Sequence, residues 1–277
     1  MSRAMTDAFV RNLKLLNAKE RDHLMRFAYL GQSTDYSTAS TCLSSEFHEL
    51  LRKHAVEMGL GASAKCVFAG MDYHLDWLFA AFWIARESPN WTSKDPIPDP
   101  VRMDPVPAPV RGGTGYTGNG AKALYTDFHP ISGSQEDIDL LVVYDDGNKL
   151  AVLFIEAKGS AAFDRVQLAR KLIRLDRILV ESGMTSQDDR SLEFRLILAA
   201  PKKPSFKCCL EYAMELPQAK AGEDKFSAMR VALKEHSCGI GNGLHFLPIP
   251  GFPQETYAVE RVPEAGAYAH WTLRKRK

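Results

Sequence analysis

The chain has 277 residues and a formal net charge of +1, with 45% hydrophobic and 25% charged residues. These values are typical of a globular protein with one large domain or two small ones, and they exclude a strongly basic or disordered chain. Because the net charge is close to zero, any surface that binds nucleic acid must be a local patch.

The cysteines and histidines show no pattern that is typical of a metal site or of a disulfide framework. The number of cysteines is five, no C-x-x-C pair occurs, and no histidine pair has the spacing of a zinc motif. The N-terminus lacks the continuous apolar stretch of a secretory signal, and no apolar run approaches the roughly 20 residues that span a bilayer. We therefore expect a cytoplasmic protein without a membrane partner.

The N-terminal part of the sequence predicts helices. Residues 8–30 are predicted to be helical, with Asn17 as a candidate cap for a second helix and Glu20 as its capping-box partner. Ser44 or Ser45 begins the next helical stretch, and Gly59 and Gly61 end it. The third is apolar nearly all round, which indicates burial. These predicted helices, over residues 8–30, 44–59 and 72–86, make residues 1–87 a helical N-terminal region.

Residues 88–121 are dense in proline and glycine, so they cannot form a regular helix or a central strand. A loop that closes on a substrate and a plain linker both fit this composition. Residues 122–277 follow as an α/β core with a C-terminal extension, and we expect one compact domain overall. The core's predicted strands cover 122–128, 137–144, 150–158, 193–201, 244–250 and 257–262, and its predicted helices cover 163–183 and 226–239. The tail from Arg274 is expected to fray.

An Asp-Gly pair at 146–147 predicts a tight hairpin between two neighbouring strands. A loop of two or four residues places Asp139 opposite Phe154 and Asp137 opposite Glu156. Directly opposed residues share a face, so the acids of the two strands lie on the same side of the sheet. A loop of three residues would separate them.

The buried strand predicted from Leu150 ends in two charged residues, Glu156 and Lys158. Charges in an interior are costly unless they are paired, although charged residues also mark strand ends that meet solvent. Several acids on one face repel each other, so at least one should have a raised pKa. A divalent cation would relieve this repulsion, and Mg²⁺ favours one or two carboxylates together with waters and phosphate oxygens.

At these residues the sequence resembles the PD-(D/E)XK nuclease superfamily, over residues 122–200 or so. The run EDIDLLVVY supplies an acid through Asp139, FIEAKG supplies Glu156 and Lys158, and Gln167 matches a glutamine that many relatives carry in the next helix. The resemblance implies an α/β, restriction-endonuclease-like fold: a mixed central sheet flanked by helices, here with a helical N-terminal elaboration.

The same resemblance implies a nuclease that depends on Mg²⁺, for which Mn²⁺ can substitute, and that hydrolyses phosphodiester bonds. DNA is the expected substrate, in defence, restriction or repair. Asp139, Glu156 and the backbone carbonyl of Ala157 would hold the metal. Lys158 would orient the attacking water or stabilise developing negative charge, and Gln167 would assist in positioning.

An acid from the N-terminal helices often completes such a site, and Asp76 is the candidate here, with Asp72 and Glu46 as alternatives. Lys171 and Arg174 are candidate contacts to a nucleic-acid backbone, although a merely solvated helix face fits them as well. A homodimer is a further candidate. The alternative functions are an inactive nuclease fold that serves as a nucleic-acid-binding or assembly module, and a different α/β protein whose acids are structural.

Overall fold

The computed structural model describes residues 2–19, 22, 43–92, 94–95, 137–158, 192–201, 203, 245–249, 257–263 and 269–275, and the positions 163, 168, 171, 172, 174, 175, 178 and 179. Its centre is a five-stranded mixed sheet in the order β1-β2-β3-β4-β5. The strands are β1 (Lys65–His74), β2 (Asp137–Asp145), β3 (Leu150–Ala157), β4 (Leu192–Ala200) and β5 (His245–Pro248). Neighbours are antiparallel from β1 to β3 and parallel from β3 to β5.

Two further strands, β6 (Tyr257–Pro263) and β7 (Ala269–Lys275), form a separate antiparallel pair. The three helices with described bounds are α1 (Arg3–Leu16), α2 (Ser45–Glu57) and α3 (Leu75–Glu87). The described residues between 168 and 179 are also helical. None of the described helices is long and apolar enough to cross a membrane.

The helices cover both faces of the sheet, which is therefore buried on both sides. We call the side covered by α1, α3 and the helical residues of 168–179 the first face. The side covered by α2 is the second face. On the first face, the rings of Phe9 and Phe82 stack with their centroids 4.0 Å apart and join α1 to α3. The mixed sheet between helical layers confirms the α/β class.

Local signals explain where α2 begins and ends. The Ser44 hydroxyl accepts a hydrogen bond from the amide of Phe47 at 3.2 Å, which satisfies one of the donors that a helix start leaves open. The chain leaves α2 through Gly59, whose φ of 89° lies in the left-handed region that favours glycine. The predicted beginning and end of this helix are confirmed.

The N-terminal prediction was wrong in two places. Residues 1–87, predicted as a helical region, contain β1, which pairs with β2 in the main sheet. The predicted helix from 72 begins only at Leu75, because His74 acts as its N-cap and accepts a hydrogen bond from the Asp76 amide at 3.2 Å. Before it, Asp72 has a φ of 48°, in the left-handed region, near the end of β1. The first helix ends at Leu16, next to the candidate cap Asn17, whose Oδ1 accepts a hydrogen bond from the Lys19 amide at 3.3 Å.

The hairpin between β2 and β3 has a four-residue loop, but its register differs from the prediction by two residues. The last pair before the loop is Asp145 with Leu150, so the loop is 146–149. Asp146 fixes it, because its Oδ1 accepts the amides of Asn148 and Lys149 at 2.9 and 2.8 Å. Because side chains alternate with a period of two, a shift of two residues leaves each side chain on its predicted face of the sheet.

Strands β2, β3, β4, β5 and β6 confirm five of the predicted strands. The prediction that the tail frays from Arg274 was wrong at that residue and at Lys275, since both belong to β7. The predicted strand 122–128, the helix 226–239 and most of the Pro/Gly-rich segment lie outside the described residues.

Candidate active site

Asp139 and Glu156 meet at one end of the sheet. The last described pair of β2 and β3 at this end is Leu140 with Ile155, so the same register places Asp139 opposite Glu156. The prediction that Asp139 faces Phe154 was wrong by this shift, but the two acids lie closer together as a result. The Oδ2 of Asp139 accepts a hydrogen bond of 2.7 Å from the amide of Ala157.

The sequence predicted that Asp137 lies opposite Glu156, and this prediction was wrong. Asp137 pairs instead with His74 of β1, and its Oδ2 receives the Lys19 ammonium at 2.6 Å. Asp137 therefore belongs to a neighbouring contact between β2 and the residues after α1, rather than to the pair formed by Asp139 and Glu156.

Glu156 is the buried acid of the site, with only 5% of its surface exposed. Burial raises its pKa to about 7, and the nearby Asp139 carboxylate adds to the increase. Lys171 and Lys158 act in the opposite direction because their positive charges favour the ionised carboxylate. The predicted raised pKa is thus found at Glu156, although desolvation rather than repulsion is its main cause.

Two buried cations project from the helical residues of 168–179 toward carboxylates. The Lys171 ammonium lies 2.5 Å from Oε1 of Glu156, and the Arg174 guanidinium forms an ion pair with Asp76. Lys171 and Arg174 stand three positions apart, so they share one side of a helix. This side therefore joins β3 to the first turn of α3 through two adjacent ion pairs.

Both interpretations of the sequence expected Lys171 and Arg174 to be exposed, and the structure buries them instead. They are 4% and 1% exposed, respectively. Their charges face Glu156 and Asp76, which would otherwise carry uncompensated negative charge in the interior. The sequence did not predict these two ion pairs, because the cations are distant in sequence from the carboxylates that they neutralise. A contact between either cation and nucleic acid stays a prediction.

Lys158 follows Ala157 at the end of β3 and is half-buried. Its amide donates to the carbonyl of Ala199 at 2.9 Å, which continues the β3–β4 ladder and fixes the backbone at this point. Its ammonium lies near enough to favour ionisation of Glu156. The roles of Lys158 and of the Ala157 carbonyl stay predictions, and Gln167 lies outside the described residues.

The three candidate acids from the N-terminal region lie in different places. Asp76 lies in the first turn of α3, on the first face, and contacts the helical residues of 168–179 through Arg174. Asp72 falls between the β1 residues that pair with Leu140 and Ile138, which puts it level with Asp139. Glu46 lies in the first turn of α2 and is exposed, so it sits on the second face, away from Glu156.

A second group of ligand-type side chains lies on the second face, and the sequence spacing did not predict it. His54, Glu57 and His245 each place one candidate ligand atom within 4.8 Å of the others. Burial and the Arg195 charge lower the pKa of His54, and they lower that of His245 to about 4, so both imidazoles are neutral at pH 7. The sequence shows one part of this group, the i,i+3 spacing of His54 and Glu57 on a predicted helix.

Comparison of the chain with protein-family models, with curated proteins and with solved structures gives no match. 

Proposed function

We propose that the protein is a Mg²⁺-dependent nuclease that hydrolyses phosphodiester bonds in DNA, with Asp139, Glu156 and Lys158 at its site. The observation that carries this proposal is the meeting of Asp139 with the end of β3. Asp139 accepts the amide of Ala157, the residue between Glu156 and Lys158. A carboxylate pair and a lysine from adjacent strands thus converge on one end of the sheet.

The order of the elements supports the same proposal. The acid lies on β2, the Glu-x-Lys sequence ends β3, helical residues follow between 168 and 179, and β4 then runs parallel to β3. This is the order that the resemblance to PD-(D/E)XK nucleases implies. A restriction-endonuclease-like arrangement of the mixed sheet is therefore part of the proposal.

The donor set fits a hard divalent cation. The contacts with described residues use Oδ2 of Asp139 and Oε1 of Glu156, and none of them engages the second oxygen of either carboxylate. Mg²⁺ prefers oxygen ligands and is commonly bound by one or two carboxylates plus waters and substrate oxygens. The Ala157 carbonyl is the third protein ligand that we propose.

Each residue of the site has a separate task in this proposal. A bound Mg²⁺ supplies an acidified water and positive charge for the scissile phosphate. Lys158, half-buried at the strand end, holds a water or a phosphate oxygen beside the carboxylates. Lys171 is a positioning residue, because its ion pair fixes Glu156 and favours the ionised form that a metal needs.

One observation favours the rival function, an inactive nuclease fold that serves as a binding or assembly module. Glu156 and Asp76 already have buried cationic partners, so the charge of these two acids is compensated without a metal. Such a network can be structural. The two functions differ in whether Glu156 contributes to cleavage or only to stability.

The test is incubation of the protein with plasmid, linear duplex, single-stranded DNA and RNA in the presence of Mg²⁺, Mn²⁺ or EDTA. We expect cleavage with either metal, no cleavage with EDTA, and loss of cleavage in Lys158→Ala. Lys65→Ala is the matched control, because Lys65 is an exposed lysine that pairs with Asp145 at the opposite end of β2. Its activity should equal that of the unmodified protein.

Salt-sensitive DNA binding without cleavage, unchanged in Glu156→Gln, would contradict the nuclease and favour the binding module. Cleavage that persists in Lys158→Ala would contradict the assigned site. Equal melting temperatures for the two lysine variants would show that lost cleavage does not reflect lost folding.

A further inference from the structure

The group formed by His54, Glu57 and His245 lies apart from the proposed nuclease site and goes beyond it. His54 and Glu57 stand one turn apart on α2, while His245 is the first residue of β5. The rings of His54 and His245 are 5.8 Å apart and nearly perpendicular. One ligand atom of each of the three residues lies within 4.8 Å of the others.

The fold directs these side chains toward one another. His245 pairs with Ile197 of β4, and Ile197 packs on the second face, beneath α2. Directly opposed residues of neighbouring strands share a face, so His245 also points toward α2. On α2, residues three positions apart lie on the same side, which brings His54 and Glu57 together above β5.

Arg195 contacts two of the three residues of the group. It lies two residues before Ile197 on β4, hence on the same face. Its Nη1 lies 2.6 Å from Oε2 of Glu57 and 3.3 Å from Nδ1 of His54. A single cationic nitrogen therefore bridges the carboxylate and the imidazole, at the position that a cation would take between them.

We propose that His54, Glu57 and His245 bind a divalent transition metal such as Zn²⁺, and that the metal displaces the Arg195 guanidinium. Two imidazoles and one carboxylate are a ligand set that Zn²⁺ uses in proteins, with a solvent molecule in the remaining position. Glu57 is exposed, which leaves a route for the ion and its water. Nitrogen ligands distinguish this site from the oxygen site at Asp139 and Glu156, which suits Mg²⁺.

Titration of the full chain with Co²⁺, followed by visible absorption, tests the site, and Zn²⁺ titration by calorimetry gives the affinity. We expect Co²⁺ bands that Zn²⁺ abolishes and that Mg²⁺ leaves unchanged. His245→Gln and His54→Gln should weaken binding by more than the roughly 10–100-fold that outer-shell changes cost. His48→Gln is the matched control, because it makes the same change on α2 outside the group.

Arg195→Gln tests the displacement, since it removes the competing cation while leaving all three ligands, and it should lower the Kd for Zn²⁺. An unchanged or higher Kd in this variant would overturn the displacement. Bands that are absent, or that survive in His245→Gln, would overturn the site. Asp139→Asn should bind Co²⁺ normally, so failure of the nuclease proposal would leave this result intact.

Discussion

The pH dependence of stability is the sharpest consequence of burying Glu156. Its pKa in the folded protein is about 7, against an ordinary value of 4.5. Between these two pH values the folded state keeps a proton that the unfolded chain has released. Because the unfolded state then binds fewer protons, the free energy of unfolding falls as the pH rises through this window.

The size of the effect follows from the width of the window. Each pH unit changes the free energy of unfolding by up to about 1.4 kcal/mol per proton. From pH 4.5 to pH 7 the contribution of Glu156 should therefore fall by about 3 kcal/mol. The loss is complete only above pH 7, where the folded protein also holds the carboxylate.

The assay is urea denaturation of the unmodified protein and of Glu156→Gln across this pH range. Titrating groups common to both proteins cancel when the free energy of unfolding of Glu156→Gln is subtracted from that of the unmodified protein. This difference should fall by about 3 kcal/mol as the pH rises from 4.5 to 7, so the variant is relatively more stable at high pH. Saturating Mg²⁺ should reduce the decline, since a metal binds the ionised carboxylate. A difference that stays constant with pH would refute the assigned burial and pKa of Glu156.

Two further predictions concern the elements around the site. Arg174→Met leaves Asp76 without the buried cation that it contacts, so the free energy of unfolding should fall by about 3–5 kcal/mol. Adding Asp76→Asn should restore much of this loss, because it removes the negative charge. Urea denaturation of the single and double variants checks both results. Ser44→Ala removes the N-cap of α2 and should cost about 1 kcal/mol by the same assay, whereas Ser45→Ala, one residue further on, should cost less. Equal effects of the two serine changes would contradict the cap assignment.

Local signals in the sequence were enough to predict the parts of the fold that local chemistry determines. Ser44 and Gly59 delimit α2, and an Asp-Gly pair marks the turn between β2 and β3. The apolar run from Leu150 to Ile155 is fully buried, as its composition indicates. The convergence of Asp139 and Glu156 was predictable for the same reason, because alternation along two hairpin strands determines which residues share a face.

Features that depend on distant residues were not predictable in this way. A charged helix face resembles a solvated one until its partners are known, so the burial of Lys171 and Arg174 required the positions of Glu156 and Asp76. The group on the second face likewise depends on β5, since His245 is far from His54 in sequence and reaches it only through the parallel pairing with β4.

The most direct measurement of the proposed nuclease site is calorimetric titration of Mg²⁺ into the unmodified protein and into Asp139→Asn at a pH above 7, where Glu156 is ionised. If Asp139 and Glu156 share a cation, the unmodified protein should bind Mg²⁺. Asp139→Asn should bind it with a higher Kd and a smaller heat of binding. Identical isotherms for the two proteins, or no binding by either, would contradict a metal site at this end of the sheet.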